Sequence, residues 1–139
     1  MTAPGGLELA KLIKSMNPIL QDGTFVFATV ANGSKLLERA MPQAEMLFRE
    51  TEGWTMIVTQ SVADDLVLDF LFPCRKVTLD VHSSLEAVGF LAAITTRLAE
   101  RVRIGVNPVS GYYHDHLFVP LGKEDLVVEE LKQMAAEQE

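Results

Sequence analysis

The sequence predicts an α+β fold of two split βαββαβ units in tandem, each an antiparallel sheet with helices on one face. Three observations predict it. Short β-branched and aromatic runs alternate with segments whose apolar residues recur every three or four positions, so strands and helices are interleaved. The coarse order strand, short helix, strand, strand, helix occurs over residues 24–70 and again, with a longer first helix, over 76–137. The 139 residues, 48% hydrophobic and 22% charged, suffice for one compact domain or for two half-size units.

Residues 7–16 set Leu9, Leu12, Ile13 and Met16 on one stripe of a helix that Pro18 ends. After the turn signal Asp22-Gly23, residues 24–30 (TFVFATV) read as a strand closed by Ala31-Asn32-Gly33-Ser34. Residues 35–41 form a short helix stopped by Pro42, and residues 45–49 and 54–59 form a hairpin around Gly53. Residues 61–70 carry Val62, Leu66 and Phe70 at fourfold spacing, with Asp64 and Asp65 early, where carboxylates suit the positive end of a helix. In residues 76–81 (KVTLDV), Val77, Leu79 and Val81 alternate with Thr78 and Asp80, the pattern of a half-exposed strand.

Ser83-Ser84-Leu85-Glu86 fits the S-x-x-E capping box: the Ser83 hydroxyl accepts from the Glu86 amide while the Glu86 carboxylate reaches back. A helix is therefore expected to start there and run to Glu100-Arg101, with Leu85, Val88, Ala92, Thr95 and Ala99, flanked by Leu91 and Leu98, facing inward. Residues 102–109 and 116–119 make a second hairpin, and Gly122 precedes a last helix, 124–137, that turns Val127, Leu131 and Met134 inward.

Nineteen acidic against twelve basic residues give a net charge of -7, which argues against nucleic acid or an anionic membrane as partner. The single cysteine, Cys74, forms no internal disulfide and no thiolate metal cage. Residues 1–14 lack the basic start and long apolar core of a signal peptide, and no apolar run of about 18 residues occurs, so a cytoplasmic protein is expected.

The repeat is weak at the level of single residues. Met56-Ile57-Val58 aligns with Leu117-Phe118-Val119, and Ala63-Asp64 with Glu124-Asp125, at one shared offset. It divides the chain into a first module, 1–72, with an extra N-terminal helix, and a second, 73–139. Two such units side by side hide more apolar surface than one and leave a crevice where they meet.

The strand KVTLDV (76–81), the loop His82-Ser83-Ser84, the opening LEAVG (85–89) and Ile104-Gly105-Val106-Asn107 resemble the ACT-domain pattern. More narrowly, FRETEG (48–53), HSSLEAVGF (82–90) and GYYHDHLFVP (111–120) resemble an uncharacterised family of short bacterial proteins built from two ACT-like modules, and the resemblance covers nearly the whole chain. It implies ferredoxin-like regulatory modules that sense amino acids and act on metabolic enzymes or transporters. A homodimer or a regulated enzyme or transporter is the implied partner, with no cofactor and no catalysis. In ACT domains the ligand lies between paired modules, held by the loop after the first strand and by the second strand. Carried over, those positions are His82, Ser83, Ser84 and Leu85 on the loop, with Val106 and Asn107 on the strand.

The chain departs from that pattern in its N-terminal helix, in the stunted first-module helix without the usual Gly-rich loop, and in lacking a fused catalytic domain. The second module also ends after its helix, without a final strand. This implies a permuted strand order in which residues 76–81 or 24–30 serve the neighbouring module.

Amides around Ser84 to Glu86, at the expected helix start, together with the Ser83 and Ser84 hydroxyls, suit a ligand carboxylate. The Asn107 side chain or strand carbonyls would take the ammonium of an amino acid. The plainer alternative is that Ser83 and Glu86 only cap a helix. Arg49 either meets a ligand carboxylate or forms a surface ion pair with Glu50 or Glu52. His114-Asp115-His116 places two imidazoles on one side of a strand, within reach of His82, for a divalent metal or for hydrogen bonds inside the hairpin. A triad of Ser83 or Ser84 with His82 or His114 lacks the nucleophile-elbow motif. Tyr112 and Tyr113 either cover a pocket or interface or fill the turn, and Gly105 and Gly111 permit close backbone approach. Three function classes follow: an amino-acid-binding regulatory module, a ligand-free interaction or dimerisation module that pairs exposed sheet edges, and a histidine-based metal-binding protein.

Overall fold

The computed structural model describes residues 4–82 and 84–138. The chain forms two compact units, one of Gly23–Cys74 and the other of Met1–Asp22 with Arg75–Glu139. The division is therefore not sequential: residues 1–22, which the repeat assigns to the first module, belong with the second.

The 23–74 unit follows the order βαββαβ. It contains β2 (Phe25–Val30), α2 (Leu36–Ala40) with a 3-10 turn (Met41–Gln43), β3 (Met46–Arg49), β4 (Trp54–Thr59), α3 (Gln60–Asp65) and the first part of β5 (Asp69–Asp80). Its strands run β3-β4-β2-β5, antiparallel throughout, with Ala28 opposite Met56 on one side and Phe70 on the other. Strand alternation sends Val26, Ala28, Val30, Met56 and Val58 to the helix-covered face, where they pack with Ala40, Ala63, Leu66 and Leu68. The Thr59 hydroxyl accepts from the Val62 amide at 3.3 Å and so starts α3. In the β3–β4 turn, Gly53 (φ 156) has the Val30 carbonyl oxygen 3.1 Å from where a Cβ would sit, so a side chain there would be strained and would press on that carbonyl.

The other unit holds α1 (Pro4–Ser15), β1 (Asn17–Leu20), the end of β5, α4 (Phe90–Arg101), β6 (Asn107–Ser110), β7 (Asp115–Pro120) and α5 (Glu124–Ala136). Read from β5, the order is again βαββα, and β1 supplies the final strand by pairing antiparallel with β5, Pro18 opposite Leu79 and Leu20 opposite Val77. The strand order is permuted, as the missing strand implied, but the substitute is residues 17–20 rather than 76–81 or 24–30. Proline lacks a ladder donor, yet it is tolerated here because β1 pairs β5 alone among the described residues and is thus an edge strand. One core joins Ile13 and Met16 to Ile94, Leu98, Val127, Leu131 and Met134, over Val77, Leu79, Leu117 and Val119 of the sheet. No helix among the described residues is long and apolar enough to cross a membrane.

Two expected elements are shorter than expected for one reason. The fourfold pattern over 61–70 predicts a helix to Phe70, but α3 ends at Asp65, with Val67 left-handed (φ 54) and the Leu68 amide on the Ala63 carbonyl. Likewise Arg103 (φ 60) turns its amide back to the Leu98 carbonyl after α4, so β6 begins at Asn107 and not at Val102. Both positions usually hold glycine, and with valine and arginine there the stop signal is missing from the sequence.

Arg97 ties α4 to α5. Its Nε donates to Glu130 at 2.6 Å, and its two terminal nitrogens donate to Glu137 at 2.7 and 3.0 Å. The hydrogen bonds from Arg97 hold the Glu137 carboxyl below the ordinary carboxylate range. A group depressed in this way contributes stability above its unfolded pKa and loses that contribution as pH falls through its folded value. Arg97→Met is expected to destabilise the protein at neutral pH by loss of both pairings, the Glu130 bond being the less exposed of the two. The gap between variant and native protein should narrow as urea unfolding is repeated at progressively lower pH below the carboxylate range. A gap that widened in acid would contradict the pairing.

Candidate ligand-binding site

β5 delivers the chain into the loop expected to bind ligand. Past Asp80 the Val81 amide bonds back to the Leu79 carbonyl, Val81 is half-buried and His82 is exposed. The Ser84 hydroxyl accepts from the Glu86 amide at 3.0 Å, and the Ser84 carbonyl from the Ala87 amide, which makes a turn with Leu85 and Glu86 outward. The expected capping box does not begin a helix. α4 starts only at Phe90, after Gly89 in the left-handed region (φ 86), and Ser83 lies outside the described residues. The face that α4 buries is Phe90, Ile94 and Leu98, which includes the flanking Leu98 of the expected face but not the stripe from Leu85 to Ala99.

Three cavities surround this loop. A cleft of about 660 Å³ opens between α1, through Glu8, Lys11, Leu12 and Ser15, and the loop, through Val81, His82, Ser84, Glu86 and Ala87. A recess of about 120 Å³ lies between the loop, the first turn of α4, and Ser110 and Asp115 of the β6–β7 hairpin. A third, about 440 Å³, is bounded by His82, Ser84, Leu85 and Tyr112. Ser84 borders all three.

This geometry changes the expected ligand contacts. The residue that shares the recess at the start of α4 is Asp115, 8% exposed, whose carboxylate suits the positive end of that helix. A ligand carboxylate would meet a like charge there. Val106 lies before β6 and packs half-buried against the core, while Asn107 is exposed and pairs with Phe118. Neither lines any of these three cavities, whereas Ser110, Asp115 and Tyr112 do. Arg49 belongs to the 23–74 unit, where its guanidinium lies over the Trp54 ring at 5.5 Å rather than on Glu50 or Glu52. The Glu50 carboxylate instead accepts from the Thr55 hydroxyl.

The histidines divide between two settings. The His114 and His116 rings stand nearly perpendicular with centroids 6.5 Å apart, and His116 Nδ1 is 2.9 Å from the Thr78 hydroxyl, whereas His82 borders the cavities beside α1 and Tyr112. Among the described residues no group of three or more His, Cys, Asp or Glu is placed to hold a metal ion. Cys74 is buried, its thiol donates to the Phe25 carbonyl at 3.3 Å, and burial pushes its pKa up to about 12, so it stays a protonated core residue.

The α1 wall is what sequence reasoning missed. The helical stripe shows Leu9, Leu12, Ile13 and Met16, but nothing in it says that Glu8, Lys11 and Ser15 face the loop after β5. Asp115 carried a weak signal, as a lone carboxylate at the head of an apolar strand.

The sequence profile of the ACT domain matches residues 4–75. The chain belongs to the ACT-domain family. Both units accordingly have the ferredoxin-like order of an ACT module, and together they make a tandem pair within one chain. Among solved structures, a protein of unknown function from Vibrio cholerae, described as a possible transport protein, is 37% identical, with a TM-score of 0.82 over 94% of this chain and 98% of that one. E. coli aspartokinase III, solved with aspartate and ADP, shares the fold at 12% identity and a TM-score of 0.64, over 86% of this chain and 33% of that one. The regulatory subunit of aspartate kinase from Thermus thermophilus shares it at 7% identity and a TM-score of 0.63, over 86% of this ACT chain and 99% of that one. Comparison with curated proteins gives no significant match.

Proposed function

We propose that this tandem ACT protein is a non-catalytic regulatory module that binds an amino acid or a closely related metabolite at the 82–87 loop, and that binding alters its association with a second copy or with a target enzyme or transporter. The observation that supports this reading best is the convergence of three cavities on Ser84, in the loop that follows the first strand of the second module. Ligand sites are concave, mostly apolar and equipped with a few polar groups, and the largest of these cavities has that character. The aspartate-bound structure of E. coli aspartokinase III gives an instance of a related fold in an amino-acid-bound enzyme.

The test is a thermal-shift screen of the twenty amino acids on the intact chain. A ligand at about a hundred times its dissociation constant should add about 2.7 kcal/mol to stability, a shift of several degrees. Ser84→Tyr, whose ring would occupy the cavities, should abolish that shift while leaving the unliganded midpoint nearly unchanged, because Ser84 is exposed. No shift with any amino acid, for native protein and variant alike, would refute the reading.

A ligand-free interaction module is favoured by a different observation. Leu85, Val88, Tyr112 and Tyr113 are 69%, 86%, 81% and 66% exposed, and Leu85 and Tyr112 border the same cavity. On that reading Leu85→Ser with Tyr112→Ser would change the sedimentation coefficient of the protein in the absence of any small molecule.

A further inference from the structure

We infer that the N-terminal helix α1 is one wall of the ligand site, and that the cleft it makes selects an amino acid with an apolar side chain whose carboxylate is held by Lys11. This rests on the reading that the 82–87 loop binds a small molecule, and it specifies which one and against what.

α1 has two working faces. Ile13, with Met16 just past the helix end, is buried in the core, and Leu9 and Leu12 pack half-buried against it. Glu8, Lys11, Leu12 and Ser15 lie three and four residues apart, hence on one stripe, and that stripe borders the 660 Å³ cleft opposite the loop. At the loop's far end Leu9 Cδ2 is 3.6 Å from where a Cβ on Gly89 would sit, so helix and loop meet there and bound the cleft. Its volume lies within the roughly 300–1,000 Å³ common for small-molecule sites.

The lining sets the chemistry. Leu12, Val81 and Ala87 offer an apolar floor, Lys11 is the cation, and Glu8 and Glu86 are the carboxylates. Among the described residues these three charged side chains have no ion-pair partner within the protein. A zwitterion satisfies the set: its carboxylate pairs with Lys11, its ammonium with Glu86 and Glu8, and its side chain rests on the apolar floor. The site at the start of α4 is no rival for the carboxylate, because Asp115 stands there. A second carboxylate, as in aspartate or glutamate, would face Glu8 and Glu86, and among the described lining residues no second lysine or arginine stands against it, only the His82 imidazole, so acidic amino acids are disfavoured by repulsion.

Isothermal titration of the intact chain separates the possibilities, using L-leucine, L-aspartate, 4-methylpentanoate (the carboxylate without the ammonium) and 3-methylbutylamine (the ammonium without the carboxylate). L-leucine should bind at least tenfold more tightly than each of the other three, which is about 1.4 kcal/mol. Lys11→Met should weaken L-leucine at least tenfold and Lys11→Arg much less. Lys14→Met, on the same helix but off the cleft, should leave it unchanged. Tighter binding of L-aspartate than of L-leucine, or equal binding of L-leucine by native protein and Lys11→Met, would overturn the inference, yet the loop would remain an amino-acid site if Ser84→Tyr still abolished binding. If none of the twenty amino acids bound, the inference and the broader reading would fall together.

Discussion

Ile13→Asp is expected to lower the unfolding free energy by at least about 4 kcal/mol. Ile13 is 4% exposed, in the core that joins α1 to α4, α5 and the sheet. Losing the apolar burial removes about 1.5–3 kcal/mol. A carboxylate set among Ile94, Leu98 and Val127 without a partner adds a desolvation penalty of comparable size or more. Against a typical total of about 5–15 kcal/mol, such a loss leaves this unit barely folded. Lys14 is exposed on the next position, so Lys14→Asp should stay within about 0.5 kcal/mol. Urea unfolding measures the energies, and hydrogen exchange should show the lost protection in α4 and α5. A cost for Ile13→Asp under about 1 kcal/mol would mean that residues 1–22 are an appendage and not part of the second module.

Met56→Ala should cost about 2–5 kcal/mol, the range for truncating a large buried side chain. Met56 is fully buried on β4, opposite Ala28 and Leu47, in the core of the 23–74 unit. Where the cost falls in that range depends on how far the surrounding Val26, Val58 and Ala63 relax into the space left behind. Glu52→Ala, in the exposed turn between β3 and β4, is the control and should be nearly neutral. Equal midpoints for Met56→Ala and Glu52→Ala in urea would show that this unit has no cooperative core of its own. Loss of amide protection confined to β2, β3 and β4 in Met56→Ala would support the opposite.

These two substitutions also mark where the sequence was legible. The core of the 23–74 unit could be read because its strands alternate cleanly, as in residues 24–30, and its hairpin is punctuated by Gly53. Ile13 was likewise readable as the inner face of a helix, though the unit to which that helix belongs was not. The loop after β5 stood out through the S-x-x-E run and its resemblance to the ACT pattern, and three cavities border it. The start of α4 was misread because the S-x-x-E pattern at 83–86 describes a cap equally well as a free turn, and a left-handed Gly89 four positions on from Leu85 decided between them. Val106 and Asn107 were carried over from the ACT pattern and Arg49 was read from its guanidinium in the hairpin, and none of the three borders the three cavities around the loop.

The sequence by itself determined the number and type of most elements, the repeated unit and the acidic balance, because periodicity, turn chemistry and composition act over a few residues and leave a local record. Only the tertiary structure decided that residues 17–20 close the second module, that Asp115 stands at the start of α4, and that Lys11 and Glu8 face the loop after β5. Those pairings join residues about sixty to eighty positions apart along the chain or, for Asp115 and Phe90, about twenty-five, with α4 and β6 between them. They are set by which apolar faces pack together, a property of the assembled core that no short window of sequence contains.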